Sequence, residues 1–241
     1  MKIIITKDYE EMSKAAFEIM AEVVKSNPEA VLGLATGSTP LGLYALMAKD
    51  HHENGTSYQK IRTVNLDEYV GLDEKSDQSY VYFMRKNLFD QIDLPLENTN
   101  IANGKAENQE AECARYNALL ETMQQDIQVL GIGSNGHIAF NEPGTPFDSL
   151  THVVNLTQST IKDNSRLFER EEDVPRQAFT MGLKNIMNAK KILVLANGAS
   201  KAKAILGLMK GEVTQTLPAS ILQLHPDCTV IVDEDAAKLL G

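Results

Sequence analysis

The sequence predicts one α/β domain built around a mostly parallel sheet. The first observation is a set of short apolar runs, at residues 2–6, 30–35, 126–130, 191–196 and 229–232. Such runs are typical of strands buried on both faces, as in parallel sheets. The second observation is that segments with apolar residues at helical spacing separate these runs. Because no linker-like or repetitive segment divides the chain, we expect a single domain over residues 1–241.

The N-terminal half alternates strands and helices. Strands are expected at 2–6, 30–35 and 61–66, and helices at 8–26, from Pro40 to about Lys49, from about Ser76, and over 107–124. Thr39 is a plausible N-cap residue for the second helix, with Pro40 in its first helical position.

The C-terminal half continues this alternation. Strands are expected at 126–130, 152–156, 177–181, 191–196 and 229–232. Helices are expected around Ser165 and Arg166, from 197–201, from 217–220 and over 234–240, and the charge run 169–173 is expected to be a solvated loop.

Composition excludes several classes of partner. The net charge of −10 argues against nucleic acid, whose binding needs Lys and Arg at phosphates, and against an anionic membrane surface. No apolar run approaches the ~20 residues of a membrane helix, and the N-terminal run is too short for a signal peptide. We therefore expect a cytoplasmic location, with Cys113 and Cys228 as buried free thiols.

The loop at 131–144 carries the densest chemistry in the sequence. It follows a predicted buried strand and contains glycines, two asparagines, His137 and Glu142. Glycine lets a ligand approach the backbone closely, and histidine titrates near neutral pH. The loop is consistent with a proton-handling site, but a solvated histidine in an ordinary turn would give the same local pattern.

A second loop, at 36–40, leads from a predicted strand into a helix. The N–H groups of a helix N-terminus and the hydroxyls of Thr36, Ser38 and Thr39 would suit a phosphate group, although an ordinary turn remains the alternative. Lys201 opens another predicted helix, where a lysine opposes the helix dipole unless an anion lies nearby.

Asp67 follows the third predicted strand of the sheet. Ligands of doubly wound sheets bind outside the carboxyl ends of the strands, so this carboxylate is well placed, although a solvated acid is the alternative. Arg166 is either a surface residue or a phosphate clamp.

Four motifs, in order along the chain, closely resemble the glucosamine-6-phosphate deaminase family (glucosamine/galactosamine-6-phosphate isomerases). They are residues 34–40, 65–72 (Asn-Leu-Asp-Glu-Tyr-Val-Gly-Leu), 136–143 (Gly-His-Ile-Ala-Phe-Asn-Glu-Pro) and 222–226. The second and third are highly specific, whereas the first is shared with 6-phosphogluconolactonases. The resemblance implies a single Rossmann-like three-layer domain that converts glucosamine 6-phosphate and water to fructose 6-phosphate and ammonia, with no metal and no organic cofactor.

The resemblance also implies the catalytic roles. Asp67 would be the enolisation base, and His137 the acid–base group for opening the sugar ring, with Glu142 and Asn135 supporting it. These residue types suit such proton transfers.

The family's phosphate ligands map onto two regions of this chain. Gly37, Ser38 and Thr39 would hold the phosphate with Arg166 and Lys201, whose charges explain how an acidic protein could bind a dianion.

Two departures from the family pattern lead to further expectations. Many relatives have Asp where this chain has Asn135, so we expect Glu142 to carry more of the stabilisation of a charged imidazole here. Residues 145–154 contain no Lys or Arg, and the chain stops at Gly241, unlike relatives with an activator site and a longer tail. We therefore expect hyperbolic kinetics without an activator, and slightly favour a monomer over a homo-oligomer.

Two other functions compete with this interpretation. A 6-phosphogluconolactonase-like hydrolase would share the fold and phosphate loop but would not need motifs 65–72 and 136–143 as they stand. A non-catalytic sugar-phosphate sensor would normally carry a DNA-binding segment, which we do not expect because the chain begins directly with a strand.

Overall fold

A central parallel sheet with helices on both faces organises the molecule. The computed structural model describes residues 1–156 and 174–241. Its strands are β1 (Lys2–Thr6), β2 (Val31–Leu34), β3 (Arg62–Asn65), β4 (Asp67–Tyr69), β5 (Thr99–Asn100), β6 (Ile127–Gly131), β7 (His152–Asn155), β8 (Gln177–Thr180), β9 (Ile192–Ala196) and β10 (Cys228–Asp233). Its α-helices are α1 (Tyr9–Ser26), α2 (Leu41–Asn54), α3 (Tyr80–Asn87), α4 (Gln109–Thr122), α5 (Leu183–Met187), α6 (Ala202–Lys210) and α7 (Glu234–Ala237).

The seven strands of the main sheet run in the order β1-β10-β9-β6-β2-β3-β5, and every neighbouring pair is parallel. The chain moves outward from β2 to β3 on one side and from β6 to β9 and β10 on the other. The crevice between the carboxyl ends of β2 and β6 is therefore a topological switch point, where open α/β sheets bind ligands.

Alternate residues of the strands feed two separate cores. On one face, residues such as Val194 and Leu130 pack with Tyr116 of α4 and Ile205 of α6. On the other face, residues such as Leu193 pack with helices α1, α2 and α3. The resulting helix–sheet–helix layering confirms the predicted α/β fold and its mostly parallel sheet.

Among the described residues, three strands outside the main sheet form a small antiparallel sheet in the order β4-β8-β7. The sequence predicted strands at 152–156 and 177–181 but not this separate pairing. The sequence predicted Asp67–Tyr69 only as the segment after the third strand. In the structure it is itself a strand, separated from β3 by the single residue Leu66. Asp67 thus lies at the junction of the two sheets.

The start of α2 differs from the prediction. Thr39 is not its N-cap residue: Pro40 occupies that position and gives no side-chain capping bond, while the Thr39 hydroxyl donates to Asn197 Oδ1 at 3.3 Å. The helix also continues beyond Lys49 to Asn54, where Gly55 ends it with φ = 72°.

Other helix and strand boundaries also differ from the predicted ones. Helix α3 begins at Tyr80 rather than near Ser76, residues 199–201 and 218–224 are 3₁₀ helices, and α7 ends at Ala237 instead of Leu240. Strand β5 and helix α5 were not predicted. The helix predicted around Ser165 and the charge run 169–173 lie outside the described residues.

Two further expectations concern membrane-spanning helices and the cysteines, and both are compared with the described residues only. There, no helix has the length and apolar character needed to cross a lipid bilayer. Cys113 and Cys228 are free thiols, as expected; Cys228 is buried and Cys113 is half-buried.

Two buried tyrosines fix the ends of adjacent strands. The Tyr44 hydroxyl of α2 donates to the Ala35 carbonyl at 2.6 Å and accepts from the Ala35 N–H at 3.1 Å. The Tyr116 hydroxyl of α4 makes the same pair of bonds with Asn65, at 2.6 and 3.1 Å. Each bond pair satisfies backbone groups just where β2 and β3 lead into functional segments.

Tyr116→Phe should destabilise the fold by about 1–3 kcal/mol, because it leaves buried backbone groups of Asn65 without a partner. Urea denaturation measures this change in the free energy of unfolding. Tyr82→Phe, at a side chain that is 37% exposed, is the control and should change the value by less than about 0.5 kcal/mol. Equal effects of both substitutions would contradict the proposed bracing of β3.

Candidate active site

Four segments that carry predicted site residues lie at the carboxyl edge of the main sheet. They follow β2, β3, β6 and β9, which are neighbours in the sheet. The sequence had assigned Gly37–Ser38–Thr39, Asp67, the loop 131–144 and Lys201 to these segments. Because parallel strands point the same way, the fold places all four segments at one edge.

Asp67 is a buried carboxylic acid. Its residue is only 8% exposed, and it begins β4 next to the end of β3. Burial, together with the smaller effect of the neighbouring Glu68 carboxyl, raises the pKa of Asp67 to about 8. A carboxylate with such a pKa is a much stronger base than a solvated one once it is ionised.

Glu68 has a structural task that the sequence did not reveal. Its Oε1 accepts the N–H groups of Tyr69 and Tyr80 at 2.8 and 3.0 Å, and its Oε2 accepts that of Val81 at 3.0 Å. Burial raises the pKa of Glu68 to about 7 against the lowering effect of these bonds. The carboxyl group thus binds the N-terminus of α3 to β4, and no local pattern signals a contact across twelve residues.

His137, Glu142 and Asn135 form a contiguous group. His137 Nδ1 lies 3.4 Å from Glu142 Oε1, which is long for a hydrogen bond but close for an ion pair. Asn135 Nδ2 donates to Glu142 Oε2 at 2.7 Å, while Asn135 Oδ1 accepts the backbone N–H of His137 at 3.1 Å. The His137 ring, opposing desolvation, lowers the pKa of Glu142, and the Asn135 bond adds a smaller lowering.

Glycines make room for this group. A Cβ atom on Gly133 would lie 2.3–2.6 Å from the His137 ring, so the ring packs directly against the backbone there. Gly136 has φ = 85°, and a Cβ atom there would lie 2.1 Å from Leu217. Two of the loop glycines are thus required by the close packing around the histidine.

The segment after β2 is an exposed loop whose backbone is fixed by the Tyr9 side chain. Gly37 has φ = 95°, Gly37 and Ser38 are exposed, and Thr39 is partly exposed. The Tyr9 hydroxyl donates to the Ser38 carbonyl at 3.0 Å and accepts the Gly42 N–H at 2.8 Å. The loop therefore has a fixed shape in which Gly37 and Ser38 are exposed to solvent, an arrangement compatible with a phosphate site.

Lys201 lies in the short 3₁₀ helix before α6. Burial lowers its pKa, and no carboxylate pairs with it within residues 1–156 and 174–241. The hydrogen bond between Thr39 and Asn197 links the loop before Lys201 to the loop 36–40. Arg166, the other basic phosphate ligand expected from the sequence, lies outside the described residues.

The arrangement brings a buried carboxyl group, an imidazole–carboxylate pair and an exposed loop at the start of a helix to one edge. In the described ranges, no cluster of three or more His, Cys, Asp or Glu side chains could hold a metal ion.

Comparison with known proteins shows the family of the chain. A sequence model described as glucosamine-6-phosphate isomerases/6-phosphogluconolactonase matches residues 7–231. The chain belongs to this family. The motif resemblance noted in the sequence is thereby confirmed.

Relatives within the family share the whole chain. A glucosamine-6-phosphate deaminase of Clostridium perfringens (strain ATCC 13124) is 52% identical over 241 residues, covering 100% of both chains. One of a Geobacillus species (strain WCH70) is also 52% identical, covering 100% of this chain and 96% of the relative.

Solved structures agree with the family assignment. A structure described as a monomeric glucosamine-6-phosphate deaminase superposes with a TM-score of 0.96 at 47% identity, covering 99% of this chain and 100% of that one. A 6-phosphogluconolactonase of Trypanosoma brucei shares the fold, with a TM-score of 0.79 at 21% identity over 100% of this chain and 98% of that one.

Asp67→Asn should raise the melting temperature increasingly as the pH rises from about 5 to 8. Because the pKa of folded Asp67 lies above that of an unfolded aspartate, the folded chain retains a proton that the unfolded chain releases, so this group costs stability as pH rises. The asparagine removes that cost, and we expect a gain on the order of 5 °C at pH 8.

Thermal unfolding at pH 5, 6.5 and 8 measures this difference. Asp77→Asn, at an exposed turn residue, is the control for the loss of a negative charge. A melting temperature of the Asp67→Asn variant that is below wild type at pH 8, or a gain that shrinks with rising pH, would contradict the raised pKa.

Proposed function

We propose that this chain is a glucosamine-6-phosphate deaminase, which converts glucosamine 6-phosphate and water to fructose 6-phosphate and ammonia. The observation that carries the proposal is the buried Asp67 carboxyl group at the same sheet edge as the His137–Glu142 pair. The names of relatives about half identical over the full chain support it.

The first step we propose is opening of the pyranose ring. It requires a proton to move between the O1 hydroxyl and the ring oxygen O5, and His137 is the group suited to carry it. Glu142, 3.4 Å from the imidazole, stabilises the ring when it is protonated. Asn135 holds Glu142 by a hydrogen bond that its Nδ2 donates to the opposite carboxylate oxygen.

The second step is isomerisation of the open-chain sugar. Asp67 removes the proton from C2 while the aldehyde oxygen O1 takes up a proton, which gives an enol-amine. Asp67 then returns its proton to C1 and the nitrogen releases one, so that an imine remains at C2. Water adds to this imine carbon and the C–N bond breaks, so that ammonia leaves and the C2 ketone remains. One carboxylate over one face of the chain can serve both carbons, and the raised pKa of Asp67 strengthens it as a base.

The phosphate anchors the substrate for both steps. Gly37, Ser38 and Thr39 would supply donors, and Lys201 a positive charge that its half-buried position leaves without a carboxylate partner among the described residues. Arg166 stays in this role as a prediction from the sequence. Holding the remote phosphate fixes the reacting carbons against Asp67.

The competing functions have less support. The 6-phosphogluconolactonase structures resemble this chain at about 21% identity, which reflects the fold alone. A sensor would not need a carboxyl group with a raised pKa at the same sheet edge as an imidazole–carboxylate pair. We further propose that the protein is a monomer with one domain over residues 1–241. It would use no metal or organic cofactor, and its kinetics would be hyperbolic without an activator. The cytoplasmic location stays a prediction.

Ammonia release from glucosamine 6-phosphate tests the function. Wild type should form ammonia and fructose 6-phosphate in equal amounts, with and without EDTA. Asp67→Asn should lower kcat by at least about 10²-fold, the lower range of general-base contributions. Binding of the sugar phosphate without any ammonia release would overturn the deaminase proposal and favour the sensor.

Asn135→Asp should leave the enzyme active and shift its pH optimum upward. A second carboxylate beside the imidazole favours the charged form of His137, so ring opening would retain its acid to a higher pH. A pH–rate profile of kcat/KM measures the shift. An optimum that moves to lower pH would contradict this account of Asn135.

A further inference from the structure

One element, β8, touches both halves of the proposed catalytic machinery. Thr180 lies directly opposite Asp67 in the antiparallel pairing of β4 and β8, so their side chains share one face of the small sheet. The following residue, Met181, donates its N–H to the Leu66 carbonyl at 2.7 Å, immediately before Asp67.

The same two residues hold the loop that carries His137 and Glu142. The Thr180 hydroxyl oxygen accepts the backbone N–H of Phe140 at 3.1 Å. The Met181 carbonyl accepts Nδ2 of Asn141 at 2.8 Å. Both hydrogen bonds hold residues 138–141, the segment that connects His137 to Glu142 in the chain.

Asn141 also closes the turn within that stretch. Its Nδ2 donates to the Ile138 carbonyl at 3.0 Å, across an Ala139 residue with φ = 51°. A non-glycine residue in this region persists only where the surroundings enforce it. Thr180 and Asn141 are both fully buried, so neither side chain is available as a solvent-facing catalytic group.

We propose that Thr180 and Asn141 are positioning residues, which fix the ring-opening pair His137–Glu142 relative to the base Asp67. This inference rests on the proposed function, because it concerns two groups that must act on one sugar in succession. Neither residue touches the substrate in this account; each acts through the loop 138–141 and through β4. A shift of about 1 Å in such a pair is enough to lower a rate strongly.

Thr180→Val tests the inference with a side chain of the same shape. It removes the oxygen that accepts the Phe140 N–H but leaves the phosphate loop and Lys201 unchanged. We expect kcat for ammonia release to fall roughly tenfold or more while KM changes less than about twofold. Thr180→Ser keeps the hydroxyl and should retain most of the wild-type kcat.

Two comparisons separate positioning from general loss of stability. Thr151→Val removes another buried hydroxyl, which donates to Asn185 Oδ1 at 3.3 Å and contacts neither the loop nor Asp67; its kcat should stay within about twofold of wild type. If Thr180→Val fails to fold, Thr180→Ser against Thr180→Ala isolates the same hydroxyl.

The outcomes distinguish this inference from the function on which it rests. An active wild type with an unchanged kcat in Thr180→Val, or equal losses in Thr180→Val and Thr151→Val, overturns the positioning role alone. A wild type that releases no ammonia overturns both proposals. A selective loss of kcat in Thr180→Val, restored in Thr180→Ser, supports both.

Discussion

A carboxylate loses the stabilisation of water when a fold buries it, and Asp67 is buried where β3 gives way to β4. The rest of the site is arranged around this costly group. Glu68 adds a second carboxyl beside it, which accepts N–H groups at the N-terminus of α3 and raises the pKa of Asp67. The fold thus maintains a base with a raised pKa, at the expense of stability that an asparagine would restore.

The packing around Asp67 fixes the position of its carboxyl group. Tyr44 and Tyr116 fix the backbone at the ends of β2 and β3, from helices on opposite faces of the sheet. The loop proposed to bind phosphate follows the first of these strands, and Asp67 follows the second. In the proposed function, a sugar phosphate held by this loop would meet a carboxylate whose position is set by packed secondary structure.

The sequence predicted what local patterns encode. Buried apolar runs such as that of β9 revealed the parallel strands, and the spacing of glycines and His137 marked the loop after β6. Long-range contacts were missed: the second sheet, the Glu68 cap and the bond from Phe140 to Thr180 join residues that no periodicity relates. The N-cap prediction for Thr39 failed for a similar reason, because its hydroxyl bonds to a loop 158 residues away.

The central claim is that one carboxylate, Asp67, moves protons on one face of the sugar. Running the reaction in D₂O and locating deuterium at C1 of fructose 6-phosphate by NMR tests it most directly. A single base on one face predicts label in only one of the two hydrogen positions at C1. Label distributed equally over both positions at early times, before the product can re-equilibrate, would contradict the account, because it would mean that solvent rather than Asp67 delivers the proton.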